Sequence, residues 1–363
     1  MTVFSGSYRA DDVQILLKRL AQQPFVSVEQ KEALIQSKQK HYSEMLSPES
    51  LPSERYLQIF EDACAANLQR MARDCLLLAA LIAERRSGHI TLVSLARAGT
   101  PVGVVLKRLL VELFDRRVQH YTVSIIRDRG IDQAALRFIL DNGHAPESIV
   151  FVDGWTGKGV ISRELARGIG QYNERHGTRI DAGLHVLSDL AGAAACASSS
   201  ADYLIPSSIL NATVSGLISR TILSDAIGAE DFHGCVYYEQ FAPHDRSRQF
   251  VDAVTQAALE IGRDGIPQAQ AQDREASAAV SGACMAQLMA THGVSDPNLV
   301  KPGIGEATRV LLRRVPRLLI LRDAEAADVR HLKLLAQEKN VPVVIDPALP
   351  YQAVSLIRSA LDG

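Results

Sequence analysis

Cysteine is scarce in this chain and is not arranged to build anything. Of 363 residues five are cysteine: Cys64, Cys75, Cys196, Cys235 and Cys284, with no CxxC pair among them. That excludes a disulfide framework and a zinc ribbon, and fits a reducing, cytoplasmic setting. An excess of one charge sign is lacking too. Lysine and arginine number 39 against 41 aspartates and glutamates, for a net charge of −2. No global field for nucleic acid or membrane follows, so any such surface must be local. Long apolar runs are missing. The longest, Cys75–Ala83, falls far short of the roughly 20 residues that span a bilayer and reads as a core helix. The Met1 end is polar, with no secretory apolar region. No membrane partner is expected.

What is present is an alternation of strands and helices. Apolar residues make up 47% of the chain, enough for real cores, and the length predicts two domains or three. Residues 1–88 read as helical, with one helix capped by Asp11 or Asp12 and running to about Leu20, a polar loop at 41–48, and a long helix over Glu54–Glu84. Strands are expected at Ile90–Leu95, His120–Ile126, Ile149–Val152 and Gly183–Leu187. Helices are expected at Pro101–Phe114, Asp132–Asn142 and Val160–Tyr172, a further helix from near Ser208, and a strand near Cys235–Tyr238. This rhythm is that of a parallel α/β sheet. Residues 262–277 are polar and free of aromatics, which reads as a linker between a larger domain at 1–261 and a smaller one at 278–363. The smaller domain reads as an α/β/α sandwich. It has helices at Ser277–His292, Glu306–Arg314 and Asp328–Lys339, strands at Arg317–Leu321 and Val341–Ile345, and a short terminal helix.

The densest signal is Ile149-Val-Phe-Val-Asp-Gly-Trp-Thr-Gly-Lys-Gly159. An apolar strand ends in Asp153, and Gly154, Gly157 and Gly159 then turn the chain into a helix. Backbone N–H groups of Thr156, Gly157, Lys158 and Gly159 would point out of the helix start, where an anion is comfortable. This is not a Walker A loop, because Gly154 and Gly157 are too close and Lys158 precedes Gly159 rather than serine or threonine. A second strand-to-helix turn carries Ala96, Arg97, Ala98 and Gly99. Arginine matches phosphate oxygens bidentately, and small neighbours let it approach a ligand. A third turn holds Arg127 and Arg129. These turns lie at strand carboxyl ends, where open α/β sheets bind ligands. Plainer readings stand beside these: a tight βα connection, an Arg97 that bridges carboxylates, and a solvated Arg127-Asp-Arg129 cluster. Asp189 lines the cleft, as part of an acceptor pocket, or caps the next helix. Ser207 or Ser208 is expected to cap a helix whose start carries Asn211, Thr213 and Ser215; Ser207, Ser208 and Asn211 wall an acceptor pocket, or the segment is a packing helix with a polar face. Tyr8, Tyr42 and Glu44 carry no spacing that fixes a role.

Together these turns resemble the type I phosphoribosyltransferase fold. That resemblance implies a parallel sheet with an N-terminal helical extension. It implies Asp153 on ribose hydroxyls, Gly154 and Thr156 to Gly159 on the 5′-phosphate, and Ala96 to Gly99 on pyrophosphate. Asp153 and Arg97 would carry the chemistry, with Arg127 or Arg129 as a mobile hood. The substrate would be phosphoribosyl pyrophosphate with Mg²⁺, and the reaction transfer to a nucleobase, a nucleoside-like metabolite or RNA. The family's pattern has two adjacent acids and a loop about two residues longer. Ser5–Tyr8, His41–Leu46, Ser94–Pro101, Asp153–Gly159 and Ile205–Gly216 are similar to the phosphoribosyltransferase-like proteins of bacterial tellurite-resistance and stress gene clusters, a family that also carries the label cysteine protease StiP. Three functions remain open on this footing: a transferase, a non-catalytic sensor of ribose phosphates or nucleotides, and a thiol protease. For the last, Cys235 stands near His233, but no nucleophile motif surrounds any cysteine. Pairing with a second copy of the chain is left open.

Lys301-Pro-Gly-Ile-Gly-Glu-Ala-Thr-Arg309 resembles the Gly-x-Asn-Glu-x-x-Lys signature of Pelota/L7Ae-type RNA-binding domains. Gly303, Glu306 and Arg309 match, and Gly305 stands where that family has asparagine. The resemblance implies phosphate contacts from Lys301, Arg309 and Arg313 and an RNA partner. The plain alternative is a basic helix facing water or docked on the larger domain.

Overall fold

The computed structural model describes residues 3–21, 25–47, 49–268 and 272–359. The chain opens with two short strands, β1 (Gln14–Ile15) and β2 (Lys18–Arg19), where a helix was expected. Val13, Ile15, Leu16 and Leu17 are all buried, so the run has no polar face for a helix to present. Asp12 caps no helix; it accepts the Arg9 N–H at 3.2 Å and takes Arg108 in a two-pronged pair at 2.8 Å. Two helices follow: α1 (Val28–Gln36), capped by Ser27, and α2 (Glu54–Arg85), capped by Ser53.

The main sheet is then laid down. Its elements are β3 (Ile90–Leu95), α3 (Gly99–Phe114), β4 (Val118–Val123), the hairpin β5 (Ile125–Ile126) and β6 (Gly130–Ile131), α4 (Gln133–Asp141), β7 (Ile149–Thr156), α5 (Val160–His176), β8 (Leu184–Asp189) and β9 (Cys196–Ser199). Six strands lie in the order β1-β4-β3-β7-β8-β9, every pair parallel. Period-two alternation divides the two faces. Ile90, Leu92, Val150 and Val152 join the core under α2 and α3, while Val93, Leu95, Ile149 and Phe151 join the core under α4 and α5. Burial on both faces explains the near-continuous apolar strands.

Beyond β9 the expected helix from Ser208 is absent. Two single 3₁₀ turns, Pro206–Ser208 and Ala212–Val214, take its place. Ile209, Leu210, Ala212, Val214, Leu217 and Ile218 are all buried, a pattern of wrapping rather than of one helical stripe. The strand near Cys235 shrinks to β10 (Gly234–Cys235), paired with β2. An unforeseen helix, α6 (Ser247–Asp264), packs on α2 and α3.

The smaller unit contains α7 (Arg274–His292), β11 (Val300–Pro302), α8 (Ile304–Arg313), β12 (Pro316–Leu321), α9 (Arg330–Glu338), β13 (Val343–Ile345) and β14 (Ala353–Ile357). Its sheet runs β11-β14-β12-β13. The terminal segment is therefore an inner strand, not a helix, with all five residues of β14 buried. The expected α/β architecture stands: a parallel six-stranded sheet with a separate small C-terminal domain. Among the described residues no helix is long and apolar enough to cross a membrane.

The two units share one apolar core, in which Ile304, Ala307 and Leu335 belong with Phe60 and Met71, and polar contacts also cross between them. The Asp202 carboxylate accepts N–H bonds from Ile304 (2.9 Å) and Gln352 (2.8 Å). Glu32 on α1 grips Arg314 at 2.6 and 2.7 Å, and Asn67 on α2 donates to Asp328.

Candidate functional site: an arginine-walled cleft between the domains

The carboxyl ends of β3 and β7 do meet. Gly99 sits so near β7 that a Cβ there would lie 2.6 Å from the Val152 carbonyl oxygen. This brings the Ala96–Gly99 turn beside Asp153. The Ala96–Arg97 peptide is cis. Asp153 does not end its strand, however. Pairing with β8 continues through Trp155↔Ser188 and Thr156↔Asp189, so the turn proper is only Gly157 to Gly159. Thr156 Oγ1 accepts from Gly159 N–H at 3.0 Å and closes it.

That turn is not an open anion cradle. A Cβ on Gly157 would lie 2.7 Å from the Pro302 carbonyl oxygen and 3.2 Å from Glu306 Cγ. The small domain fills the bend. Lys158 reaches across and donates to the carbonyls of Pro297 and Val300. Burial, and then the charge of Lys301, lowers its ammonium to about 7. The sequence-based picture of a free 5′-phosphate loop is corrected accordingly: a carboxylate-bearing side chain of the small domain occupies that place.

The space that remains is a cleft of about 210 Å³ walled by Arg97, Arg220, Arg309 and Arg313, with Asp153 as its one carboxylate. Tyr42, Ala96, Ala98, Trp155, Ser207 and Ser208 are among the other residues that line it. Arg97 is committed. It pairs with Glu49 at 2.7 and 3.1 Å and donates to Ile218 O (2.7 Å) and Asn211 Oδ1 (3.1 Å). Burial pushes Glu49 up, but Arg97 and Arg313 outweigh it and hold the carboxyl below its ordinary range. Arg309 pairs with Glu306 at 2.5 Å and lies over the Trp155 ring at 4.6 Å. Arg220 and Arg313 differ: among the described residues neither has an ion-pair partner. Arg220 donates to the Tyr42 carbonyl at 2.7 Å, and Arg313 to Asn211 Oδ1 at 3.0 Å. Burial, and after it for Arg313 the charge of Arg97, pulls both guanidiniums down, Arg220 to about 10. Burial pushes Asp153 up to about 6, opposed by Arg309. Four buried polar atoms of the wall have no partner among the described residues: Arg97 Nε, Trp155 Nε1, Ser207 Oγ and Ser208 Oγ. Such atoms are costly unless something completes them.

The other sequence candidates lie elsewhere. Asp189 does not line the cleft; it accepts N–H bonds from Ala191, Ala193 and Ala194 and caps its own loop. Arg127 and Arg129 do not line it either. Arg127 pairs with Asp128, and Arg129 reaches outward to Glu44. Tyr8 donates to Val214 O as a structural strut. Of the small-domain residues, Gly303, Glu306, Arg309 and Arg313 face the larger domain. Gly303 packs on Leu190, and Gly305 lies against Trp155. Lys301, Glu306 and Lys158 are electrostatic neighbours. The residues matched to the RNA signature therefore belong to the domain junction, which is the docked-helix alternative. Arg220, Glu49 and Trp155 were missed. Arg220 and Glu49 stand just beyond quoted motifs, and the lone tryptophan inside the glycine turn was the available signal.

Among the described residues no group of three or more histidine, cysteine, aspartate or glutamate side chains could hold a metal ion. Asp153 alone would offer Mg²⁺ one ligand, so no step is derived through it. All five cysteines are free. Burial raises their thiols, Cys64 and Cys235 to about 12 and Cys284 to about 11. His233 does not serve Cys235: its Nδ1 meets Ser124 Oγ at 2.8 Å.

A parallel α/β domain with a small domain locked over its carboxyl edge is the class of protein this is. The chain belongs to the family described as tellurite-like stress resistance cysteine protease StiP, whose model matches residues 6–255. Residues 279–359 match the PELOTA RNA binding domain. A curated relative from Acinetobacter baylyi, named cysteine protease StiP, is 43% identical over 99% of this chain and 96% of its own length. Solved phosphoribosyltransferases also align. The Helicobacter pylori xanthine-guanine-hypoxanthine enzyme is 18% identical over 35% of this chain and 80% of its own, with a TM-score of 0.26. The Trypanosoma cruzi hypoxanthine enzyme is 14% identical over 38% and 82%, also at 0.26. Likeness that slight carries no argument. The expectation of phosphoribosyl transfer from phosphoribosyl pyrophosphate is overturned by the family and by the full-length relative, both described as cysteine proteases.

Proposed function

We propose that this protein acts in tellurite-like stress resistance and that its working site is the cleft between its domains, which binds a phosphate-bearing ligand of the ribose-phosphate or nucleotide class. The observation that carries this is the pair Arg220 and Arg313, guanidiniums with no carboxylate in ion-pair contact among the described residues, since Glu49, the acid acting on both, is paired with Arg97. Unpaired buried charge costs several kcal/mol, and a multiply charged anion between them relieves it. The unpartnered hydroxyls of Ser207 and Ser208 and the Trp155 N–H add hydrogen-bond donors, and the Trp155 ring offers a stacking face. Arg309 and Arg313 come from the small domain, so a bound ligand would clasp both units. The test is thermal stabilisation by pyrophosphate, ribose 5-phosphate and ADP. A ligand at a hundredfold its Kd adds about 2.7 kcal/mol. That gain should vanish in Arg220→Met. No stabilisation at millimolar ligand would remove this reading.

A second reading, proteolysis by a cysteine, is favoured by the name of the full-length relative. Cys64 is the one thiol that is not fully buried, and it lies in a groove of about 320 Å³ between α2 and α6. A thiolate nucleophile needs a lowered pKa and a nearby base, so on this reading the groove must rearrange around substrate. Loss of casein cleavage in Cys64→Ala, with the other four single alanine variants active, would support it. Cleavage indifferent to all five substitutions would end it.

A further inference from the structure

Beside the cleft lies a smaller cavity of about 140 Å³ that shares Arg220 and Arg313 with it. Its floor carries Lys31, on the second turn of α1. Lys31 is only 7% exposed and has no hydrogen-bond or ion-pair partner among the described residues. Its neighbour Glu32 is engaged by Arg314 and Gln36, and Glu49 by Arg97 and the Ala212 N–H. The cavity also holds Ser47, whose buried hydroxyl has no partner. A lysine shut in with guanidiniums, while the neighbouring carboxylates Glu32 and Glu49 are bonded to other partners, is an odd structural element, because lysine is a strongly hydrated point charge. It is the arrangement that keeps an amine neutral and nucleophilic.

The geometry points to Lys31 as an amine that forms an imine with the aldehyde or ketone of a phosphorylated ligand, whose phosphate is held by Arg220 and Arg313. The anchor rests on the phosphate-binding reading above; the amine does not. In the step, the Nζ lone pair adds to the carbonyl carbon. The carbonyl oxygen then leaves as water with the two hydrogens of the amine, and C=N replaces C=O. No oxidant or reductant is needed. Burial, then the charges of Arg220, Arg314 and Arg313, lowers the Lys31 ammonium to about 7, so a large share of it is unprotonated near neutrality.

The probe is pyridoxal 5′-phosphate with the full-length protein at pH 7.5, followed by borohydride reduction, which converts C=N to a stable secondary amine. Peptide mapping should place the adduct on Lys31 at one per chain. Lys31→Arg keeps the positive charge and cannot form the adduct, so labelling there should be lost while the melting curve stays cooperative. Arg313→Met should weaken labelling about tenfold, the loss of one charge-assisted contact. Label scattered over surface lysines with Lys31 untouched, or unchanged labelling in Lys31→Arg, overturns the inference. Pyridoxal without its phosphate separates the two claims: equal labelling of Lys31 keeps the amine and removes the anchor. Stabilisation by pyrophosphate with no Lys31 adduct removes the amine and keeps the binding cleft.

Discussion

Gly305 and Trp155 lie in contact across the domain junction: a Cβ placed on Gly305 would come within 2.3 Å of the indole. The absence of asparagine at this position, where the RNA signature has one, thus has a local cause, since the large domain's only tryptophan occupies the room. Gly305→Asn should wedge the junction open and cost about 1–3 kcal/mol, the usual range for overpacking. Trp155→Ala should restore part of that loss. The measurement is a double-mutant cycle by urea denaturation, and additive effects would deny the contact.

Arg97 and Glu49 form the best-buried ion pair of the cleft, with side chains 7% and 12% exposed. Removing one partner strands the other. Glu49→Ala should therefore destabilise the protein by about 3–5 kcal/mol. It also deprives the Ala212 N–H of its acceptor. Glu49→Ala combined with Arg97→Met should recover part of the loss. Urea midpoints at constant slope are the readout.

Much of the fold was legible because burial on both faces makes central strands short, near-continuous apolar runs, while surface helices carry a single apolar stripe. Ile90–Leu95 and the helix from Val160 follow such patterns and stand where expected. Reading failed where burial was near-total without a period. The runs Val13–Leu17 and Ile209–Ile218 are buried almost throughout, with polar residues such as Gln14, Asn211 and Thr213 set among apolar ones at no fixed period, and an inner strand such as Ala353–Ile357 looks like any short apolar segment. The site was half legible. Asp153, Arg97, Ser207 and Ser208 announce themselves by leaving strands or by polarity inside an apolar stretch. That Pro302 and Glu306 fill the glycine turn depends on how two domains dock, about which local pattern is silent.

Asp153 gives a pH signature with a definite sign. Burial, opposed by Arg309, raises its carboxyl from 3.8 to about 6 in the folded state. The folded protein then binds more protons than the unfolded chain between those values, so this group's contribution to stability falls as pH rises from about 4 to 6. Asp153→Asn keeps an acceptor for the Gly154 N–H, which now bonds to Oδ1 at 2.8 Å. It should be more stable than the wild type at pH 7, on the order of 2–3 kcal/mol, and the gap should close below pH 4. A gap independent of pH would assign the effect to packing instead of charge.

Arg313 opposes stability and binding to one another. It sits half-buried on α8 with Asn211 as its hydrogen-bond partner among the described residues; Arg97, Arg309 and Arg220 repel it, and Glu49, already paired with Arg97, offsets that only in part. Removing an uncompensated charge relieves that repulsion, so Arg313→Met should raise the stability of the ligand-free protein by about 1–2 kcal/mol. If the cleft takes a phosphate-bearing ligand, the same variant should lose most of the stabilisation by pyrophosphate. A charge kept only for packing would show neither effect, and one kept for Asn211 alone would show loss of stability instead. Melting temperatures of Arg313→Met with and without pyrophosphate, compared with Asn211→Ala, separate these outcomes, because only a binding role makes the apo protein gain what the liganded one forfeits.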